Sequence, residues 1–171
     1  MTLGDLIAQF SDFIASLWPL RVVRPWQQGI RVRGGKVTGR LYPGTHWFWP
    51  LWGDLHVEDT VLDVNTTEEQ TVESNDGQCV TFALAIRYRI VDLALMWVSI
   101  QDHQATIANE VTASAAGLVR TIDYDELCER LPEEVYDDVA GTLEGWGVQL
   151  DSVSIYTLCR ARPMRVFLSG I

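Results

Sequence analysis

The residue types that most often carry chemistry are few and widely spaced in this sequence. The three histidines, His46, His56 and His103, have no HxxxH-type metal spacing, and no cysteine pair accompanies them. No serine stands in a GxSxG motif, and no GxxxxGK[ST] phosphate loop is present. Acidic pairs such as Glu68-Glu69 are typical of a solvated surface. The sequence therefore predicts no enzyme activity, no cofactor and no metal site.

The cysteines are Cys79, Cys128 and Cys159, an odd and dispersed set without a CxxC motif. Such a set is typical of a reducing compartment, and it predicts buried thiols rather than a disulfide framework.

Aromatic residues are concentrated in the stretch HWFWPLW, residues 46–52. Strand alternation places Trp47 and Trp49 on one side and His46 and Phe48 on the other, so that one face must belong to the core. Three uses remain open, namely packing, a membrane-interface belt and a sugar platform, although few polar side chains stand nearby to bind hydroxyls. We predict membrane contact for Trp47, Trp49 and Trp52.

The first twenty residues predict an amphipathic helix that Thr2 caps and Pro19 ends. The predicted apolar stripe consists of Leu3, Leu6, Ile7, Phe10, Phe13, Ile14, Leu17 and Trp18. The stripe either packs on the protein's own core or lies in a bilayer interface, with Trp18 and Trp26 at headgroup depth. Its polar face carries Asp rather than Lys, which weakens attraction to anionic lipid.

The charge distribution separates the beginning of the chain from its body. The formal net charge is −10, yet residues 21–40 carry six basic residues and no acidic one. The acidic body argues against binding nucleic acid through its bulk. The basic stretch either forms solvated strand faces or meets an anionic membrane, with Arg21 and Arg24 as predicted lipid contacts. No signal peptide and no apolar run long enough to span a membrane are apparent.

The order of elements predicts an α+β fold, a largely antiparallel, twisted sheet with helices packed on it, preceded by the amphipathic helix. Strands are predicted at 29–33, 36–41, 55–64, 70–73, 79–90 and 148–158. A short helix begins at Asp92, a second covers 107–118, Asp123 with Glu126 forms a capping box for a third, and Pro132 opens a fourth.

Several motifs in this order resemble the SPFH or band 7 family, which includes stomatins, prohibitins and flotillins. They are RPWQQGIRVRGGKV, LYPGTHWFWPLW, SNDGQCVTFALAIRYRIVD and GWGVQLDSVSIYTL, distributed over residues 21–168. The resemblance implies three parts: an anchoring helix at 1–20, a β-rich first subdomain at 21–75 and an α/β second subdomain at 76–171.

The resemblance also implies a function, that of a membrane-associated scaffold on the cytoplasmic face, bound peripherally or monotopically. It implies homo-oligomers that organise lipids or membrane-protein partners, membrane proteases among them, and it offers no catalytic residues. Many relatives have a transmembrane helix and a coiled coil that this sequence lacks, so we expect weak or partner-dependent assembly. The alternative is a soluble interaction module whose N-terminal stripe and aromatic loop bind a partner protein.

Overall fold

The computed structural model describes residues 20–47 and 53–161, and these form an α+β fold in which every strand pairing is antiparallel. The strands are β1 (Leu20–Val23), β2 (Gln27–Arg33), β3 (Lys36–Leu41), β4 (Gly44–Trp47), β5 (Asp54–Asp59), β6 (Asp63–Thr66), β7 (Gln70–Glu73), β8 (Cys79–Ile90) and β9 (Val148–Arg160). The helices are α1 (Leu93–Ser99), α2 (His103–Val119) and α3 (Tyr124–Gly145). The predicted fold class is confirmed, whereas the predicted N-terminal helix lies outside the described residues.

The chain divides into two compact units, the first ending at Val61 and the second beginning at Leu62. In the first unit β2 lies between β3 and β5, and β1 pairs with β4 as a separate ribbon. The predicted hairpin between β2 and β3 is confirmed: Gly34 and Gly35 both have positive φ, as a tight turn compatible with strand twist requires.

The second unit is organised by β8, which pairs along one edge with β9 and along the other with the short strands β6 and β7. Between β6 and β7 the buried Thr67 completes the ladder, because its N–H donates to Leu84 O and its Oγ1 accepts from Leu84 N, both at 2.8 Å. The predicted alternation of β8 is confirmed by its buried residues Val80, Phe82, Leu84, Ile86, Tyr88 and Ile90.

Helix α3 corrects two predictions. It is one helix of 22 residues with Pro132 inside it, rather than two helices separated there. Its buried residues recur every fourth position across the proline, so packing offsets the hydrogen bond that proline cannot donate; they are Leu127, Leu131, Val135, Val139 and Leu143. Asp123 makes no side-chain cap, since its Oδ1 accepts from Asn75 Nδ2 at 2.7 Å instead.

Two further predictions differ from the structure. The strand expected at 55–64 is two strands, because β5 pairs with β2 in the first unit and β6 pairs with β8 in the second. The compact units therefore divide between Val61 and Leu62, while the domain limit between residues 75 and 76 stays a prediction. The expectation of buried thiols was wrong: Cys128 and Cys159 are exposed and Cys79 is half-buried.

Candidate membrane-contact surface

The β1–β4 ribbon presents an apolar face to solvent. Its register places Leu20 opposite Trp47 and Val22 opposite Thr45, so these side chains share one face. Leu20 is 39 % exposed, Val22 66 % and Trp47 63 %. The other face begins the core of this unit, because Val23 is only 2 % exposed. Three exposed apolar side chains on one face of a ribbon of two four-residue strands are unusual for a surface that contacts only water.

Two contacts hold the β4 side of this ribbon in place. Arg31 donates from Nη2 to the carbonyl oxygen of Trp47 at 3.2 Å, which ties β4 to the neighbouring β2. His46 Nε2 lies 2.7 Å from the carbonyl oxygen of Tyr42, across the turn that precedes β4. The exposed position of Trp47 is therefore fixed by the backbone on which it sits.

Trp26 lies in the turn between β1 and β2, and its carbonyl oxygen accepts from Thr60 N at 2.9 Å. Its ring is 44 % exposed, and the guanidinium of Arg24 lies 5.6 Å from the ring centroid, a cation–π geometry. Since Trp47 pairs with the first residue of β1 and Trp26 follows its last, the two tryptophans belong to opposite ends of that strand. The ribbon thus does not bring them into one cluster.

The basic residues around the ribbon have no acidic neighbours in sequence from residue 21 to residue 53. Arg21 and Arg24, the two predicted lipid contacts, are both exposed. Arg31 has its Nε buried without a hydrogen-bond partner, while its Nη2 makes the contact with Trp47. Residues 21–40 thus contribute only positive charge to this unit, while Asp54, Glu58 and Asp59 of the adjacent β5 contribute negative charge.

The remaining predicted membrane contacts lie outside the described residues. They are Leu3, Leu6, Ile7, Phe10, Phe13, Ile14, Leu17, Trp18, Trp49 and Trp52. Along the chain, residue 19 precedes Leu20 directly and residue 48 follows Trp47 directly. Both predicted segments therefore connect covalently to the same end of the β1–β4 ribbon.

The described residues contain no group of three or more His, Cys, Asp or Glu side chains that could hold a metal ion. The marked pKa shifts have structural causes. Burial, followed by the charge of Asp63, raises the pKa of Tyr88 above its ordinary value. A hydrogen bond from Ser74 is the main cause that lowers the pKa of Asp76. Neither group lies in the ribbon.

One exposed surface in the second unit was not predicted from the sequence. Helix α1 carries no charged residue, and it and the residue before its cap expose apolar side chains at Val91 (56 %), Leu95 (41 %) and Val98 (74 %). The signal was available in the run VDLALMWVS, because a surface helix normally shows several polar residues on its outer face and this one has only Ser99, at its end.

An α+β chain with an exposed apolar ribbon beside basic residues is typical of a protein that works by contact with another surface. The model of the SPFH domain / Band 7 family matches residues 21–158, and the chain belongs to this family. The resemblance proposed from the sequence is thereby confirmed. Proteins of this family are membrane-associated, typically oligomeric, and generally scaffolds rather than enzymes.

Two archaeal relatives show the extent of the similarity. An uncharacterised protein of Methanocaldococcus jannaschii is 22 % identical over 138 residues, which cover 78 % of this chain and 69 % of the relative. An uncharacterised protein of Archaeoglobus fulgidus is 22 % identical over 149 residues, which cover 85 % of this chain and 60 % of the relative. Within residues 20–47 and 53–161, no helix has the length and apolar character needed to cross a bilayer.

Proposed function

We propose that this protein is a peripheral membrane scaffold that binds lipid through the exposed face of the β1–β4 ribbon and self-assembles on the membrane surface. The observation that carries the proposal is the shared exposed face of Leu20, Val22 and Trp47, next to a stretch of chain, residues 21–40, whose charged residues are all basic. A tryptophan with an apolar ring and a polar N–H suits the boundary between hydrocarbon and headgroups.

In this proposal the ribbon enters the interface only shallowly. Leu20, Val22 and Trp47 place apolar surface among the acyl chains. Arg21, which lies on the other face of β1 but is exposed, and Arg24 after the strand reach lipid phosphates with their long side chains. The stripe of residues 3–18, together with Trp49 and Trp52, adds apolar surface at the same end of the ribbon. Trp26, at the opposite end of β1 and stacked on Arg24, contributes at headgroup level.

The wider role follows the family. We infer that copies of the chain assemble side by side on the cytoplasmic face of a membrane and organise lipids or a membrane-protein partner, such as a membrane protease. The chain acts without catalysis of its own. Domain limits at residues 20 and 75 belong to this proposal, with the first subdomain on the lipid side.

The first test is co-sedimentation of the full chain with vesicles of phosphatidylcholine and phosphatidylserine. Trp47→Ala removes the largest exposed side chain of the ribbon and leaves its backbone bond to Arg31 in place. We expect binding to weaken about tenfold, the effect of roughly 1.5 kcal/mol of lost apolar transfer. Tyr156→Ala, which truncates an aromatic side chain 70 % exposed in the second unit, is the matched control and leaves binding unchanged.

A chain without residues 1–19 separates the two sources of affinity. Binding that collapses on this deletion assigns the anchor to the predicted helix, with the ribbon as a helper. If the full chain itself does not sediment with vesicles, the membrane proposal fails. The exposed face of the β1–β4 ribbon would then be a binding surface for a partner protein, as in the alternative of a soluble interaction module that the sequence left open.

A further inference from the structure

The surface that the proposed function leaves unused is the outer side of α1. We call Val91, Leu95 and Val98 the α1 patch; all three are exposed, whereas Leu93 and Met96 on the inner side are buried. A seven-residue helix that exposes apolar side chains on one side and buries them on the other is a candidate interaction surface, because exposed apolar groups cost free energy in water.

A cleft of about 260 Å³ adjoins the patch, between α1, the end of α3 and the start of β9. Gly147 sets its depth: the amides of Val91 and Asp92 both donate to Gly147 O at 3.0 Å, and Gly147 has φ +79°. A Cβ at this position would lie 2.5 Å from Asp92 O, so only glycine permits the approach. The exposed Glu144 stands on the cleft wall.

We propose that the α1 patch and this cleft bind residues 162–168 of a second copy of the chain. This segment, RPMRVFL, combines two arginines with the apolar residues Met, Val, Phe and Leu and contains no acidic residue. Its apolar side chains match the patch, and its arginines match Asp92 and Glu144, the two acidic residues that line the cleft. The inference rests on the self-assembly in the proposed function and names the contact that produces it.

The same copy cannot supply the segment. The cleft lies at Val148, where β9 begins, whereas the segment follows Arg160, where β9 ends. Twelve steps along a strand span roughly 40 Å. Phe167 is seven residues beyond Arg160 and reaches at most about 25 Å even when fully extended. Occupation of the cleft therefore requires the segment of a second molecule.

Two other occupants fit less well. The predicted N-terminal helix carries Asp5 and Asp12 on its polar face and has no basic residue, so it would bring like charge to a cleft lined by Asp92 and Glu144. Two α1 patches facing each other would bury only a few side chains, against the roughly 800 Å² per partner of a stable interface. A segment that each molecule donates to the next one instead gives a head-to-tail contact, and such contacts build rings or open filaments.

Photo-crosslinking tests the contact directly in the full chain. Benzoylphenylalanine replaces Val98, chains grown on ¹⁴N and ¹⁵N are mixed on phosphatidylcholine–phosphatidylserine vesicles, and the products are mapped by mass spectrometry. We expect cross-links of mixed isotope to residues 162–168. The proposal would be overturned by cross-links to residues 3–18 or to position 98 of another copy. It would also be overturned if every cross-link joined two peptides of the same isotope.

Sedimentation velocity of variants gives the second readout. Val98→Glu places a charge in the patch at a position 74 % exposed, and we expect self-association to weaken about tenfold or more. Val64→Glu is the control, since Val64 is 57 % exposed and stands opposite Arg87 in the sheet. A Val98→Glu chain that self-associates like the control, or a parent chain that stays monomeric, contradicts the proposal. Vesicle co-sedimentation of the same samples reports separately whether membrane binding persists.

Discussion

Gly147 is the residue on which the junction of α1 and β9 depends. Its left-handed φ and the 2.5 Å approach that a Cβ would make to Asp92 O leave no room for a side chain. We expect Gly147→Ala to lower the free energy of unfolding by about 2 kcal/mol or more. Gly141→Ala, on an open position of α3, is the control and should raise stability by up to about 1 kcal/mol. Urea denaturation measures both; equal effects would contradict the steric argument.

Tyr88 gives the second unit a dependence on alkaline pH. Its side chain is buried, its hydroxyl donates to Asp63 Oδ2 at 3.2 Å, and burial raises the pKa of the phenol above its ordinary value of 10. Because the folded-state pKa lies above the unfolded one, the stabilisation is fully present below pH 10 and is lost as the pH rises beyond it.

Tyr88→Phe tests this dependence. Between pH 8 and pH 11 the parent should lose more stability in urea denaturation than the variant, which has no phenol at this position to ionise on unfolding. At pH 8 the variant should itself be about 1 kcal/mol less stable, because the hydrogen bond to Asp63 is gone. Tyr156→Phe, at an exposed position, should follow the parent. Parallel losses in parent and Tyr88→Phe would show that Tyr88 is not the source.

Among the elements, α2 depends on a side-chain cap. Asp102 Oδ1 accepts from Ala105 N at 3.1 Å, which satisfies one of the amides that begin the helix without a partner. We expect Asp102→Ala to destabilise the protein by about 1 kcal/mol, measured by thermal or urea denaturation. Asp102→Asn keeps an acceptor and should lose much less. If Asp102→Asn were as unstable as Asp102→Ala, the loss of stability would come from the charge of Asp102 rather than from its capping hydrogen bond.

The elements also show what a single sequence could predict. The long alternation of β8 and the glycine pair after β2 were readable, because a period of two and a tight turn are local signals. The continuation of α3 through Pro132 could not be read from the sequence, because it depends on the packing of the helix's buried stripe against β9. The division of residues 55–64 between two sheets was equally hidden, because pairing partners far along the chain determine it.

The candidate membrane-contact surface was likewise predictable only where local signals in the sequence determine it. The sequence left open which side of HWFWPLW faces outward; the exposure of Trp47, its pairing with Leu20 and its contact with Arg31 all depend on residues far along the chain. The separation of Trp26 from Trp47 along β1 likewise depends on register. No local pattern in the sequence specifies which strand ends meet.

For the whole molecule, the uneven charge predicts how membrane binding responds to lipid charge. Arg21→Gln with Arg24→Gln removes two positive charges beside the ribbon, and we expect binding to phosphatidylserine vesicles to weaken about tenfold or more, from roughly 1 kcal/mol per arginine. Binding to purely zwitterionic vesicles should change little. Arg87→Gln, an exposed arginine of the second unit, is the control. Equal losses on both kinds of vesicle would mean that the arginines do not act through lipid charge.

The pairing of β6 and β9 on opposite edges of β8 determines how the second unit would carry tension. The chain enters this sheet at Asp63, beside Tyr88, and leaves it after Arg160, beside Val80, so the two exits lie at opposite ends of β8. A pull between a membrane-held first unit and a partner held beyond residue 161 would run parallel to the strands. The ladder bonds would then be sheared together rather than opened one at a time. In the proposed scaffold, held by the membrane at one end and by a partner at the other, this arrangement of strands would resist such a pull.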